Sequence, residues 1–332
     1  MPLSQIQTTN NQVIPNLGRR NMLINGDFQV WQRSTSGTVN SYTCDRWYGW
    51  GYQQAVTRQQ AENATSNTGR FALRNAHNDA TSNQFSAIAQ TLETNDTAKA
   101  RGKKLTFSID VKKGSAFTGN LYLQIVTRTD SEATINAGTR QVLISEDISS
   151  SLTTSLQRFT VTTSSVVAQN ALTVGVNVYH GSTSGTDANN FFQVERAQLE
   201  IGDTSTEFES ISFGETFSLC RRYFQRVGEI TASNLGSMPG IQSTRNTTNQ
   251  AILSYQCPVP LRATPSVSKS GNFTLYGSGQ GITLGSLISV STNQHLLQQV
   301  TFTATATGIN SNTDQVLYGS GTNTYIQFDS EF

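Results

Sequence analysis

FFQVERAQLEIGDTSTEFESISFGETFSLCRRYFQR, residues 191 to 226, is the stretch in which a strand pattern gives way to a helix pattern. Phe192, Val194, Leu199 and Ile201 read as the last buried strand of an upstream sheet, closed by the turn-favouring pair Gly202-Asp203. Ser212 and Glu215 have the S-x-x-E spacing of a capping box, in which each side chain satisfies a backbone N–H at a helix start. Phe213, Phe217, Cys220 and Phe224 follow at helical offsets, with Leu219 and Tyr223 beside them and Arg221, Arg222, Gln225 and Arg226 opposite. The spacing predicts one amphipathic helix of about four turns, roughly 20 Å long. Gly228 is its expected stop, and the arginines suit its C-terminal dipole. The stripe of Phe213, Phe217, Leu219 and Phe224 is expected to cover the end of a β domain or to meet its symmetry mates in an oligomer.

Either side of this join the pattern is that of strands. Leu105, Phe107, Ile109 and Val111 alternate strictly, as do Leu172, Val174, Val176 and Val178, and Leu121, Leu123 and Ile125. Phe28 and Val30 read as a half-buried strand after the Asn25-Gly26 turn signal. Downstream, AILSYQC, the run from Pro258 to Val267, SLISVS, QVTFTATAT, QVLY and TYIQF make a second set of short strands. No helical segments space the strands, which disfavours a parallel sheet. The expected fold is all-β: an antiparallel jelly-roll β-sandwich at 21–210, a connecting helix at 211–228 and a smaller C-terminal β-sandwich at 229–332. Residues 1–20 are polar and aperiodic, and read as an extended arm ordered only against a partner.

Composition limits the function classes. Of 332 residues only 14% are charged, against a usual ~25%, so Ser, Thr, Asn, Gln and Gly must keep the surface wet. Edge lysines, a common guard against strand-to-strand association, are scarce, which implies edges covered by loops or partner subunits. A net charge of +1 and a helix with few basic residues argue against nucleic acid. The sequence has no apolar run near the ~18 residues of a membrane span, and its start lacks a signal-peptide core, so a soluble protein made in the cytoplasm is expected.

Enzymatic and metal chemistry find little support. Cys44, Cys220 and Cys257 are isolated, without C-x-x-C spacing, so neither zinc nor a disulfide framework is expected, and no other metal or cofactor is called for. His77, His180 and His295 sit in no catalytic motif and read as surface or loop residues. The carboxylates on or beside strands, Asp45, Asp110, Glu195 and Glu200, show no spacing that marks the ~5 to 9.5 Å pair of a glycosidase. GSGQGITLG at 277–285 has closely spaced glycines but no following helix to receive a phosphate, and reads as a loop. CDRWYGWGYQ, residues 44–53, carries the binding chemistry of interest. As a strand it puts Tyr48, Trp50 and Tyr52 on one face and Trp47, Gly49 and Gly51 on the other. With Trp47 in the core, a row of three aromatics faces outward, with glycines behind it that would let another surface approach. Such a row can stack on sugar rings, but the plainer reading is a subunit contact or a face lying under a loop.

In order along the chain stand NGDFQVWQR, the DRW of residues 45–47, QLEIG at 198–202, GETFSLCRRYF at 214–224 and VPLRATP at 259–265. Together they resemble a family of bacteriophage tail-fibre and related virion appendage proteins; Phe224 stands where that family often has Tyr. The resemblance implies a carbohydrate-module-like β-sandwich followed by a smaller β domain, assembly as a homotrimer, and an N-terminal arm joined to other virion proteins. It further implies location on the virion and attachment to a host cell-surface glycan or protein, without turnover. A capsid or neck decoration protein lacking a receptor role is the alternative, and a polysaccharide depolymerase a third reading.

Overall fold

The computed structural model describes residues 19–332 apart from 39, 53, 63–69, 78, 137, 231–235, 238–240, 248–249, 278–279, 293–298 and 307–315. The arm at 1–20 lies outside the described residues except at Arg19 and Arg20, and His295 lies outside them too. The chain is all-β, and it divides into two compact units between Thr216 and Phe217, the first also holding Phe332.

The N-terminal unit contains β1 (Ser36–Gly37), β2 (Ser41–Tyr42), β3 (Tyr48–Gly51), β4 (Gln54–Gln60), β5 (Phe71–His77), β6 (Asp79–Thr91), β7 (Leu105–Lys113), β8 (Asn120–Arg128), β9 (Arg140–Asp147), β10 (Gln157–Thr162), β11 (Thr173–Gly185) and β12 (Phe191–Ile201). They form two antiparallel sheets of six. Sheet A has the order β1-β4-β5-β12-β7-β10 and sheet B the order β2-β3-β6-β11-β8-β9. Alternation puts Leu105, Phe107, Ile109, Val111, Phe192, Val194 and Leu199 of sheet A against Ile88, Leu121, Leu123, Ile125, Val174, Val176 and Val178 of sheet B. All fourteen are buried, and at about 25 cal/mol per Å2 this shared layer is the main stabiliser of the unit.

The segment 21–33 forms no strand. Asn25 and Phe28 have φ of 57° and 55°, incompatible with extended pairing. Side chains replace the ladder. The Asn25 amide donates to the carbonyls of Val30 and Asp45 at 3.0 Å each, and its oxygen accepts from Gln29 and Val30. The Gln90 amide is bonded both ways to Ile24. Phe28 is thereby held 4.9 Å from Trp47 in the core.

The connecting helix spans Phe213–Arg221, about half the expected length. The Ser212 hydroxyl does accept from Glu215 N at 3.2 Å, as a cap should. At the other end Arg222 and Tyr223 close a turn through bonds to Leu219 and Cys220, and Phe224 then starts a strand. The expected stripe is corrected accordingly. Thr216 and Cys220 are the buried helical positions, Phe217 and Leu219 are half-buried, Phe213 is 58% exposed and Phe224 is a buried strand residue. Period 3.6 runs on through Phe224 by coincidence, because pairing opposite Asp329 dictates the strand. Gly228, with φ of 72°, sits in an irregularity of that strand rather than at a helix stop.

The C-terminal unit comprises β13 (Phe224–Ile230), β14 (Gly236–Ser237), β15 (Ile241–Thr247), β16 (Gln250–Gln256), β17 (Ser266–Gly277), β18 (Gln280–Thr292), β19 (Gln299–Ala306) and β20 (Val316–Asp329). One antiparallel sheet runs β13-β20-β17-β18-β19-β16-β15, with β14 paired to β20. Tyr255 stacks on Phe328 at 4.8 Å inside it. Pro258 to Pro265 is not a strand, since its prolines lack ladder donors. Arg262 donates instead to the carbonyls of Ser330 and Glu331, and Gln225 to that of Val259. Most of 277–285, read as a loop, belongs to β18.

Candidate functional site

The outer face of sheet B is built by register. Trp50 lies opposite Ala87, Ala87 opposite Tyr179, Tyr179 opposite Tyr122 and Tyr122 opposite Asp147. One step along the strands the row is Tyr48, Ala89, Asn177, Gln124 and Ser145, with Tyr42 beyond Tyr48. Odd and even positions separate, so Gly49, Ile88, Val178 and Leu123 turn inward while these residues face out.

Small residues make the floor and rings lie over it. Phe85 stacks on Tyr179 at 5.5 Å and receives Trp50 and Tyr52 edge-on at 5.0 and 5.2 Å. Tyr48 meets Tyr42 at 4.9 Å, and Tyr122 lies 6.0 Å from Tyr179. A polar relay fixes the indole. Trp50 Nε1 donates to Asn177 Oδ1 at 3.3 Å, Asn177 Nδ2 to Gln124 Oε1 at 2.8 Å, and Gln124 Nε2 to Ser145 Oγ at 3.0 Å. The rings of Trp50, Phe85, Tyr122 and Tyr179 are half-buried and that of Tyr52 is 51% exposed. Gly51 lets this happen: its φ is +127°, and a Cβ there would stand 2.5 Å from the Phe85 carbonyl oxygen. The expected glycine gap is therefore filled by the neighbouring strand, while Gly49 is buried. Partial burial pushes the Tyr48 and Tyr179 hydroxyls above the usual tyrosine value, with the Arg140 charge opposing this at Tyr179.

The β8–β9 connection crosses one end of the face. Arg128 pairs with Asp130 at 2.8 Å, donates to the Thr134 carbonyl and Ser131 hydroxyl, and so sets the loop. This holds the exposed Asp130 carboxyl down at about 2. Ile135, bonded through its N–H to Thr91 Oγ1, covers Ala89 and Val126, and Trp50 packs beside them. Where the chain returns, the Arg140 guanidinium lies 5.4 Å over the Trp50 ring.

The outer face of sheet A is of another kind. Across the β7–β12 register Glu195 faces Asp110, Gln198 faces Ser108 and Glu200 faces Thr106. The two carboxylates that sequence spacing left unpaired are thus neighbours, but both are sealed, Asp110 at 1% and Glu195 at 2% exposure. Arg158 and Arg196 grip Asp110, and Arg158 also donates to Ser108 Oγ at 2.7 Å. Glu195 accepts from Glu62 N at 2.9 Å, and its burial raises its pKa. Glu200 accepts from Thr206, and Gln198 bonds the backbone of Glu207 and Glu209. Asp45, the fourth strand-side carboxylate, is buried under Gln32 and Arg33. Each of these groups is spent on the scaffold.

The histidines read as surface residues are corrected: His77 and His180 are buried at 1% and 0% exposure. His180 stacks on Phe117 at 4.3 Å and stands edge-on to Phe192, and burial drives its imidazole down to about 4. Its Nε2 meets the Thr118 carbonyl, which can only accept, so the proton sits on Nε2. All three cysteines are buried, and among the described residues no group of three or more His, Cys, Asp or Glu is placed to hold a metal ion. No described helix is long and apolar enough to cross a membrane.

No protein-family model matches the sequence. No curated protein matches it either. Among solved structures the chain is similar to the enzymatically active domain of bacteriophage CBA120 tailspike protein 4, at 11% identity and a TM-score of 0.36, covering 55% of this chain and 21% of that one. It is similar as well to a CBM22-1 xylan-binding domain from Paenibacillus barcinonensis, at 14% identity and a TM-score of 0.32, covering 51% and 94%. A Stig cyclase from Fischerella matches at 12% identity and a TM-score of 0.38, covering 56% and 99%.

Proposed function

We propose that this chain is an attachment protein that holds a glycan against the outer face of sheet B. The observation that carries the reading is the outer face those registers build: the rings of Trp50, Tyr52, Phe85 and Tyr179, partly open to solvent, beside the half-buried Gln124 amide, with the Asn177 amide buried beneath Trp50. Flat rings take the apolar faces of sugars, and a partly exposed amide such as that of Gln124 takes hydroxyls. A shallow face of this sort binds weakly per site, so useful retention comes from several copies acting together. The ordered motifs from NGDF to VPLRATP support placing it on a phage appendage, as a homotrimer whose N-terminal arm joins it to other virion proteins.

The test is retention on a panel of immobilised bacterial surface polysaccharides, with wild type beside the double variant Trp50→Ala, Tyr52→Ala. Loss of retention with an unchanged unfolding transition is expected. Equal retention by the folded double variant overturns the reading. Intact retention combined with failed assembly of the particle would transfer the aromatic face to a protein contact.

A further inference from the structure

The cation at this face is unspent. Arg33, over the Tyr42 ring at 5.5 Å, is paired with Asp45, and Arg128 is paired with Asp130. Among the described residues no carboxylate pairs with Arg140, although it lies over Trp50 and its charge reaches the Tyr179 hydroxyl. Among the described residues no hydrogen bond takes up the Arg140 N–H donors, and guanidinium donors match a carboxylate two at a time. The carboxylate nearest along the chain and register, Asp130 beside Thr139, is held by Arg128, and Asp147, at the opposite end of β9, is occupied by Asn120 and Ser149. The half of the face around Trp50 is therefore aromatic, amide-bearing and positively charged.

Resting on the proposed glycan reading, we infer that the ligand is an acidic saccharide whose carboxylate is taken by Arg140 while a sugar ring lies beside it on Trp50 and Tyr179. A neutral glycan uses the rings and the Gln124 amide but leaves this guanidinium without a partner. Charge complementarity of this kind adds discrimination and a salt dependence that stacking lacks.

The experiment uses the whole protein on printed bacterial oligosaccharides, each carboxylate-bearing glycan beside its methyl ester, with sulfated and phosphorylated glycans as further spots. Wild type is expected to bind free acids at least tenfold better than their esters, and to lose that margin as salt rises from about 0.05 to about 0.5 M. Arg140→Ala should bring acids down to the ester level, Arg140→Lys should restore part of the difference, and neither should move the unfolding transition. Acids and esters bound equally, with binding still lost in Trp50→Ala, overturns the acidic-sugar inference and leaves the glycan reading standing. Sulfated or phosphorylated spots bound as well as carboxylates overturn the carboxylate assignment. No glycan retained by wild type overturns both.

Discussion

The two outer faces of the N-terminal unit share a backbone plan and differ in what their side chains have left over. On sheet A, Asp110, Glu195, Gln198 and Glu200 are buried, and each polar head meets an arginine, an amide or a backbone N–H. On sheet B, rings lie partly bare and Arg140 carries a charge that no carboxylate among the described residues answers. A closed set of interactions holds structure together, whereas an open one is where a ligand gains by binding. Carboxylates suggest chemistry in a sequence, but here they are the scaffold.

The contrast is broken most forcefully at Asp110. Asp110→Ala leaves Arg158 and Arg196 facing each other without the charge between them, and should cost about 3 to 4 kcal/mol. All three tryptophans, Trp31, Trp47 and Trp50, lie in the N-terminal unit, so a denaturant titration followed by indole fluorescence reads that unit alone. A loss under 1 kcal/mol would show that the sheet A network is not structural.

Between the faces, His180 sets an acid limit. Its value of about 4 in the folded protein lies below the ordinary 6.5, so the unfolded chain takes up the proton first. Stability is then full near pH 7 and falls as pH drops from about 6.5 to about 4, by at most roughly 3 kcal/mol. His180→Gln should flatten the fluorescence-monitored stability across that window, and an unchanged slope would remove His180 from the account.

On sheet B the effects should appear in binding. Trp50→Ala is expected to weaken glycan retention by about 2 kcal/mol, roughly thirtyfold, as for a central aromatic anchor. Asn177→Ala removes the acceptor that fixes the Trp50 indole and should cost about 1 kcal/mol, some fivefold, in the same measurement. An Asn177→Ala loss exceeding that of Trp50→Ala would make the amides, not the rings, the centre of the site.

Sequence carried one edge of this site and not the rest. Period 2 alone places Tyr48, Trp50 and Tyr52 on one face with Trp47 behind, because they alternate within one short segment. Phe85, Tyr122, Arg140, Asn177 and Tyr179 come from other strands and meet only through long-range register, for which a single chain has no local signal. The same limit hid the Asp110 and Glu195 neighbours. At 21–33 alternation misled, because the Asn25 amide offered the backbone a substitute for the ladder. Helical periodicity overran at Phe224 because strand pairing outweighs a local preference.

A crystal structure with an acidic oligosaccharide drawn from the printed panel tests the central claim most directly. A sugar ring against Trp50 and Tyr179, with its carboxylate at Arg140, is the expected result. A ring seated on the charged face of sheet A or in the C-terminal unit, with the Trp50 face bare, would contradict it.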